Sequence, residues 1–137
     1  MPKISGMAEI SQAQRVLIVD DHADSAELLA LWLEQDGHET RTAFDGVSGL
    51  RAAIEFAPEV ALLDLSLPPT DGYELAQAIQ ARPELATCRL IAVSGFGDEV
   101  ERTRSACAGF ERHLTKPVNL QELTSAVRAE VHPRARQ

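Results

Sequence analysis

Clustered basic residues are missing from this 137-residue chain: 13 Lys and Arg are scattered among 21 Asp and Glu, for a net charge of −8. Phosphate backbones are bound through grouped cations, so this balance argues against a nucleic-acid partner and directs attention to proteins and small ions. Cysteine is scarce as well. Cys88 and Cys107 form no CxxC pair and have no histidine at ligand spacing, which excludes a thiolate zinc site and a disulfide framework and suits reduced thiols in a cytoplasmic protein. The longest apolar run, "LLALWL" at Leu28 to Leu33, is far too short for a bilayer, and no signal peptide is visible, so no membrane partner is expected. Aromatics make up 4% of the chain, which leaves an aliphatic core.

What is present suits one domain. Hydrophobic residues reach 45%, enough for a real core in a chain this size. Residues 1–14, "MPKISGMAEISQAQ", are polar and without sustained period and read as a disordered tail. Residues 15–131 read as the domain, and 132–137 as a frayed end. Three uninterrupted aliphatic runs, "RVLIV" at Arg15, "VALLDL" at Val60 and "LIAVS" at Leu90, suit parallel strands covered on both faces. Weaker strands are expected in "ETRTAF" and "RHLTKP".

Between these runs apolar residues recur at helical spacing. They include Ala26, Leu29 and Leu33; Val47, Leu50 and Ile54; Leu75, Ala78 and Ile79; more weakly Val100, Thr103 and Cys107; and finally Leu120, Leu123, Val127 and Val131. Five alternations of strand and helix predict an open, doubly wound α/β sheet with helices on both faces.

Ligands of such sheets bind beyond the carboxyl ends of the strands, and there this sequence concentrates its polar chemistry. Asp20 and Asp21 follow the first run, Asp64 sits at the end of the third strand, Ser94 ends the fourth, and Lys116 follows the fifth. Carboxylates gathered at one edge repel unless a cation lies among them. All-oxygen ligation favours Mg²⁺, Mn²⁺ or Ca²⁺ over zinc, and few protein ligands with retained waters suit Mg²⁺ best. A lysine ammonium and a serine hydroxyl facing that ion suit the oxygens of a transferred phosphoryl group. Asp64, between them, is the expected nucleophile, and the backbone carbonyl of Ser66 is a further candidate metal ligand.

Four segments in this order, "VLIVDDH", "LLDLSLPPTDG", "IAVSG" and "HLTKPV", resemble the receiver domains of two-component response regulators, from Arg15 to about Arg128. The resemblance implies a five-stranded parallel sheet in order 2-1-3-4-5 flanked by five helices, a flavodoxin-like arrangement. It implies that Asp64 accepts a phosphoryl group from a sensor histidine kinase or a histidine phosphotransfer protein, with Mg²⁺ held by Asp20 and Asp21. It further implies that Ser94 and Lys116 contact the phosphoryl oxygens, and that the bond before Pro117 is cis. The downstream protein target is not named by the sequence. Receivers commonly carry Tyr or Phe three residues before the lysine as a reporter of phosphorylation, and here that place is His113. Ser66 and Phe96, two residues past Asp64 and Ser94, are candidates for tuning autodephosphorylation. The chain reads as a free-standing regulator or as a receiver from a hybrid kinase, with a signalling role rather than enzymatic turnover.

Blander readings stand beside these. Asp20 and Asp21 suit a helix N-terminus, Ser94 suits a cap, His22 suits a solvated loop residue, and His113 suits a half-buried packing residue. Two functional alternatives remain: a Mg²⁺-dependent hydrolase with an aspartyl-phosphate intermediate, and a receiver-like interaction module that is never phosphorylated. The chain has no DxD nucleophile motif with a nearby general acid, which weighs against the hydrolase.

Overall fold

The computed structural model describes residues 13–67, 72–95 and 108–128. Strand β1 (Arg15–Val19) leads to helix α1 (Ala23–Gln35), β2 (Glu39–Ala43), α2 (Gly46–Phe56), β3 (Val60–Asp64) and α3 (Gly72–Gln80). A short 3₁₀ turn (Pro83–Leu85), β4 (Arg89–Ser94), β5 (Arg112–Thr115) and α4 (Leu120–Arg128) complete the order. All pairings are parallel, as the aliphatic runs predict, and the sheet runs β2-β1-β3-β4-β5, the order the resemblance implies. Four helices stand among the described residues. The fifth expected helix, around Val100, Thr103 and Cys107, lies outside them, as do Phe96 and Val131.

The aliphatic runs are uninterrupted because both sheet faces are covered. On one face Val16, Ile18, Leu62, Ile91 and Val93 pack under α1 and α4, through Leu29, Leu33, Leu123 and Val127. On the other, Leu17, Val19, Leu63, Leu90 and Ala92 pack under α2 and α3, through Ala53, Leu75, Ala76 and Ile79. Each fully buried Leu or Ile here contributes about 1.5–3 kcal/mol through removal from water, so β1 and β3 form a rigid base beneath the residues that follow them.

Helix α2 corrects one expectation. Val47, Leu50 and Ile54 were the natural stripe to bury, yet Val47 is 66% and Ile54 41% exposed, while Gly49, Ala52 and Ala53 face the core. The reason is close approach: a Cβ on Gly49 would stand 3.1 Å from both Val19 and Leu75 side chains, so the innermost positions of this helix take small residues while Leu50 packs half-buried at their edge. Asp45 starts the helix by accepting the Ser48 backbone N–H at 2.7 Å.

At the amino ends of the strands, Gln14 precedes β1 and is already tied down. Its N–H donates to His38 Nδ1 at 3.0 Å, its amide to the Val127 carbonyl at 2.8 Å, and its carbonyl accepts the Glu39 N–H. Cys88 is half-buried there, and burial pushes its thiol up to about 12, in keeping with an unreactive thiol. No helix among the described residues is long and apolar enough to cross a membrane.

Candidate functional site

The carboxyl ends of β1, β3, β4 and β5 bring the expected polar residues to one edge. Asp20 and Asp64 are buried, with 3% and 2% of their surface exposed, and Ser94 is buried at the end of β4. The Asp20 N–H donates to the Ala43 carbonyl, which fixes the turn out of β1 against β2. The Lys116 N–H donates to the Ser94 carbonyl at 2.7 Å, so the lysine leaves β5 in a set direction, and its bond to Pro117 is cis.

Buried carboxylates need partners, and these have them. Asp64 Oδ1 accepts the backbone N–H of Ser66 at 2.9 Å and its hydroxyl at 3.0 Å. Asp64 Oδ2 accepts from Lys116 Nζ at 3.0 Å, and the same ammonium lies 3.3 Å from Asp20 Oδ2. Burial opposes the charge on Asp64, but the Ser66 donors and the Lys116 ammonium outweigh it and hold the pKa below the ordinary carboxylate value. Burial likewise opposes the charge on Lys116, and Asp64 and Asp20 outweigh that, raising its pKa. Near neutral pH Asp64 and Lys116 therefore face each other as carboxylate and ammonium.

Asp20, Asp21, Asp64 and His22 each offer a ligand atom, and these atoms lie within 4.8 Å of one another. Three carboxylates against the one ammonium that pairs with Asp20 and Asp64 leave a surplus of two negative charges, which a divalent cation would balance. The oxygen-rich donor set fits a hard ion such as Mg²⁺. His22 joins this group although its spacing suggested a solvated residue. Its side chain is largely exposed, with Nδ1 3.3 Å from Oδ1 of both Asp20 and Asp21. A mostly apolar cleft of about 470 Å³ opens beside Lys116, between Leu28 and Leu29 of α1 and the Pro117–Leu120 segment.

His113 is more than a packing residue. Its Nε2 lies 2.8 Å from Ser94 Oγ, a contact that sequence reasoning missed. The signal is in the register: Ala92 pairs with His113 and Ser94 with Thr115, so residues 94 and 113 share the face of the sheet opposite Leu114.

Comparison with known proteins agrees with this architecture. The profile of the family described as response regulator receiver domain matches residues 16–128. The chain is 30% identical over 115 residues to the DNA-binding dual master transcriptional regulator RpaA of Synechocystis, covering 84% of this chain and 48% of that protein. It is 37% identical over 116 residues to the transcriptional regulatory protein PrrA of Mycobacterium tuberculosis, with the same two coverages. Among solved structures, a CheY-like response regulator receiver domain protein from Methanospirillum hungatei superimposes with a TM-score of 0.75 at 30% identity, covering 84% of this chain and 90% of that one.

The chain spans about half the length of the curated relatives it matches. This corrects the exclusion of nucleic acid. RpaA is named as DNA-binding, so an acidic balance over a stretch equal to half of such a protein does not remove DNA from the function of proteins that contain it. Net charge speaks only for the surface that carries it.

Proposed function

The chain belongs to the family of response regulator receiver domains, and on that premise we propose that Asp64 is its phosphoacceptor, taking a phosphoryl group from a phosphohistidine donor. The observation that carries this reading is the pairing of one ammonium, Lys116, with two buried carboxylates at neighbouring strand ends. Oδ1 of Asp64 is held by two Ser66 donors and Oδ2 by the Lys116 ammonium alone, so as that ammonium swings to the incoming phosphoryl group Oδ2 becomes the attacking oxygen. Its electron pair forms the O–P bond while the N–P bond of the donor breaks, and that pair leaves with the imidazole nitrogen.

Lys116 then turns from carboxylate to phosphoryl oxygens as a point charge, and Ser94 donates its hydroxyl hydrogen to another. Asp20, Asp21, Asp64 and the Ser66 carbonyl would hold Mg²⁺, which supplies neutralisation of charge on the transferring group. The cleft beside Lys116 gives the donor room to approach.

Phosphorylation switches the protein-interaction surface by population shift: a phosphorylated Asp64 favours the arrangement in which Ser94 faces the new group. Gly95 follows Ser94, and a residue without a Cβ leaves the backbone there a wide choice of conformations. The domain signals rather than turns over substrate, with self-phosphorylation from small phosphodonors and autodephosphorylation as its own chemistry. Ser66 and Phe96 tune the latter. Incubation with a small phosphodonor and Mg²⁺ should add about 80 Da to the wild-type chain and nothing to Asp64→Asn. Continuous turnover of phosphomonoesters would instead favour the hydrolase, and no adduct in either protein would favour the unphosphorylated module.

A further inference from the structure

Ser94 carries one hydroxyl hydrogen, and the ring beside it decides whether that hydrogen is spent on their 2.8 Å contact. A neutral imidazole also carries one hydrogen, on either of two nitrogens. With that hydrogen on Nε2, the ring donates to Ser94 Oγ across the 2.8 Å contact and the serine hydrogen is left for a third group. With it on Nδ1, Nε2 is an acceptor and takes the serine hydrogen, and Ser94 then has no hydrogen to offer a phosphoryl oxygen. The contact is held on both sides. The register pairs Ser94 with Thr115 and Ala92 with His113, and the Lys116 N–H to Ser94 carbonyl bond closes the strand ends.

We propose that His113 is a positioning residue for phosphoryl binding: with hydrogen on Nε2 it donates to Ser94 Oγ and so aims the serine O–H at the phosphoryl group on Asp64. The inference rests on the phosphoacceptor reading of Asp64. It gives residue 113 a function that a phenyl ring at the same place has no means to perform, because phenyl offers no polar hydrogen. Occupancy of Asp64 and the tautomer of His113 are thereby linked: whatever draws the Ser94 hydrogen toward Asp64 favours hydrogen on Nε2.

The test uses the whole chain with beryllofluoride and Mg²⁺ as a phosphoryl mimic. Imidazole ¹⁵N spectra should show Nε2 of His113 as a hydrogen-bearing nitrogen in the complex. His113→Gln, whose amide can also donate, should bind the mimic within about twofold of wild type, and His113→Phe about fivefold more weakly, the scale of one net hydrogen bond. A complex in which Nε2 carries no hydrogen overturns the inference, and so does His113→Phe binding as tightly as wild type. Failure of the mimic to bind the wild-type chain at all would strike the phosphoacceptor reading itself, which separates the two failures.

Discussion

The ammonium of Lys116 stands 3.0 Å from Oδ2 of Asp64, joining residues 52 positions apart across the edge of the sheet. Asp20 Oδ2 shares the same ammonium at 3.3 Å, so Lys116 is the one countercharge that two buried carboxylates have between them.

Replacing Lys116 by Met should therefore expose the cost of that crowding. The Lys116→Met chain is expected to lose about 1–3 kcal/mol of stability when divalent ions are absent, because two buried carboxylates are left without their charged donor. Saturating Mg²⁺ should restore most of the loss, since an ion that binds only the folded chain stabilises it by mass action. Urea unfolding with and without Mg²⁺ measures both.

The same pair sets a pH window. Asp64 titrates below its ordinary 3.8 in the folded chain, so its contribution is present above that value and is lost as pH falls through the folded pKa. Lys116 titrates above its ordinary 10.5, so its contribution is present below that value and is lost as pH rises through the folded pKa. Urea midpoints across pH should fall at both extremes in wild type, with a flatter alkaline limb in Lys116→Met.

Gly72 bears on the same site from α3. A Cβ placed there would collide with the Asp64 carbonyl oxygen and stand 2.9 Å from Leu65 Cα, both of them backbone that cannot swing aside. Gly72→Ala should destabilise the chain by roughly 1–3 kcal/mol through overpacking and slow phosphorylation by shifting Asp64. Thermal unfolding together with the rate of adduct formation would show both effects moving together.

At the opposite end of the sheet, His38 is 4% exposed and its Nδ1 accepts the Gln14 N–H, which requires that nitrogen to be unprotonated. Nε2 lies 3.2 Å from Asp36 Oδ2, close enough for attraction but not aligned for a hydrogen bond. Burial lowers the His38 pKa, and Asp36 offsets only part of that. The contribution is thus fully present above the ordinary value of 6.5 and is lost as pH falls through the lower folded value. His38→Gln should flatten the acid-side loss of stability that sets in below pH 6.5, read from urea midpoints.

The sheet and the carboxyl-end residues were legible because strands buried on both faces need uninterrupted aliphatic runs, and the first polar residue after each run must lie at the sheet edge. Asp20, Asp64 and Ser94 were found in that way. The face of α2 was misread because Gly49 and Ala53 bury by being small, which a search for large apolar residues ranks below Val47 and Ile54. The Ser94 to His113 contact was hidden because it depends on the register of β4 against β5, which neither strand encodes alone. The place of His22 near the carboxylates was hidden because the turn after β1 decides it.

The central claim is that Asp64 carries the phosphoryl group, and reductive trapping tests it most directly. After treatment with a small phosphodonor and Mg²⁺, borohydride converts an aspartyl phosphate to homoserine, and peptide mass spectrometry locates the change. The account predicts homoserine at position 64 in wild type and at no position in Asp64→Asn. Homoserine at Asp20 or Asp21, or a phosphorylated chain with residue 64 unaltered, would contradict it.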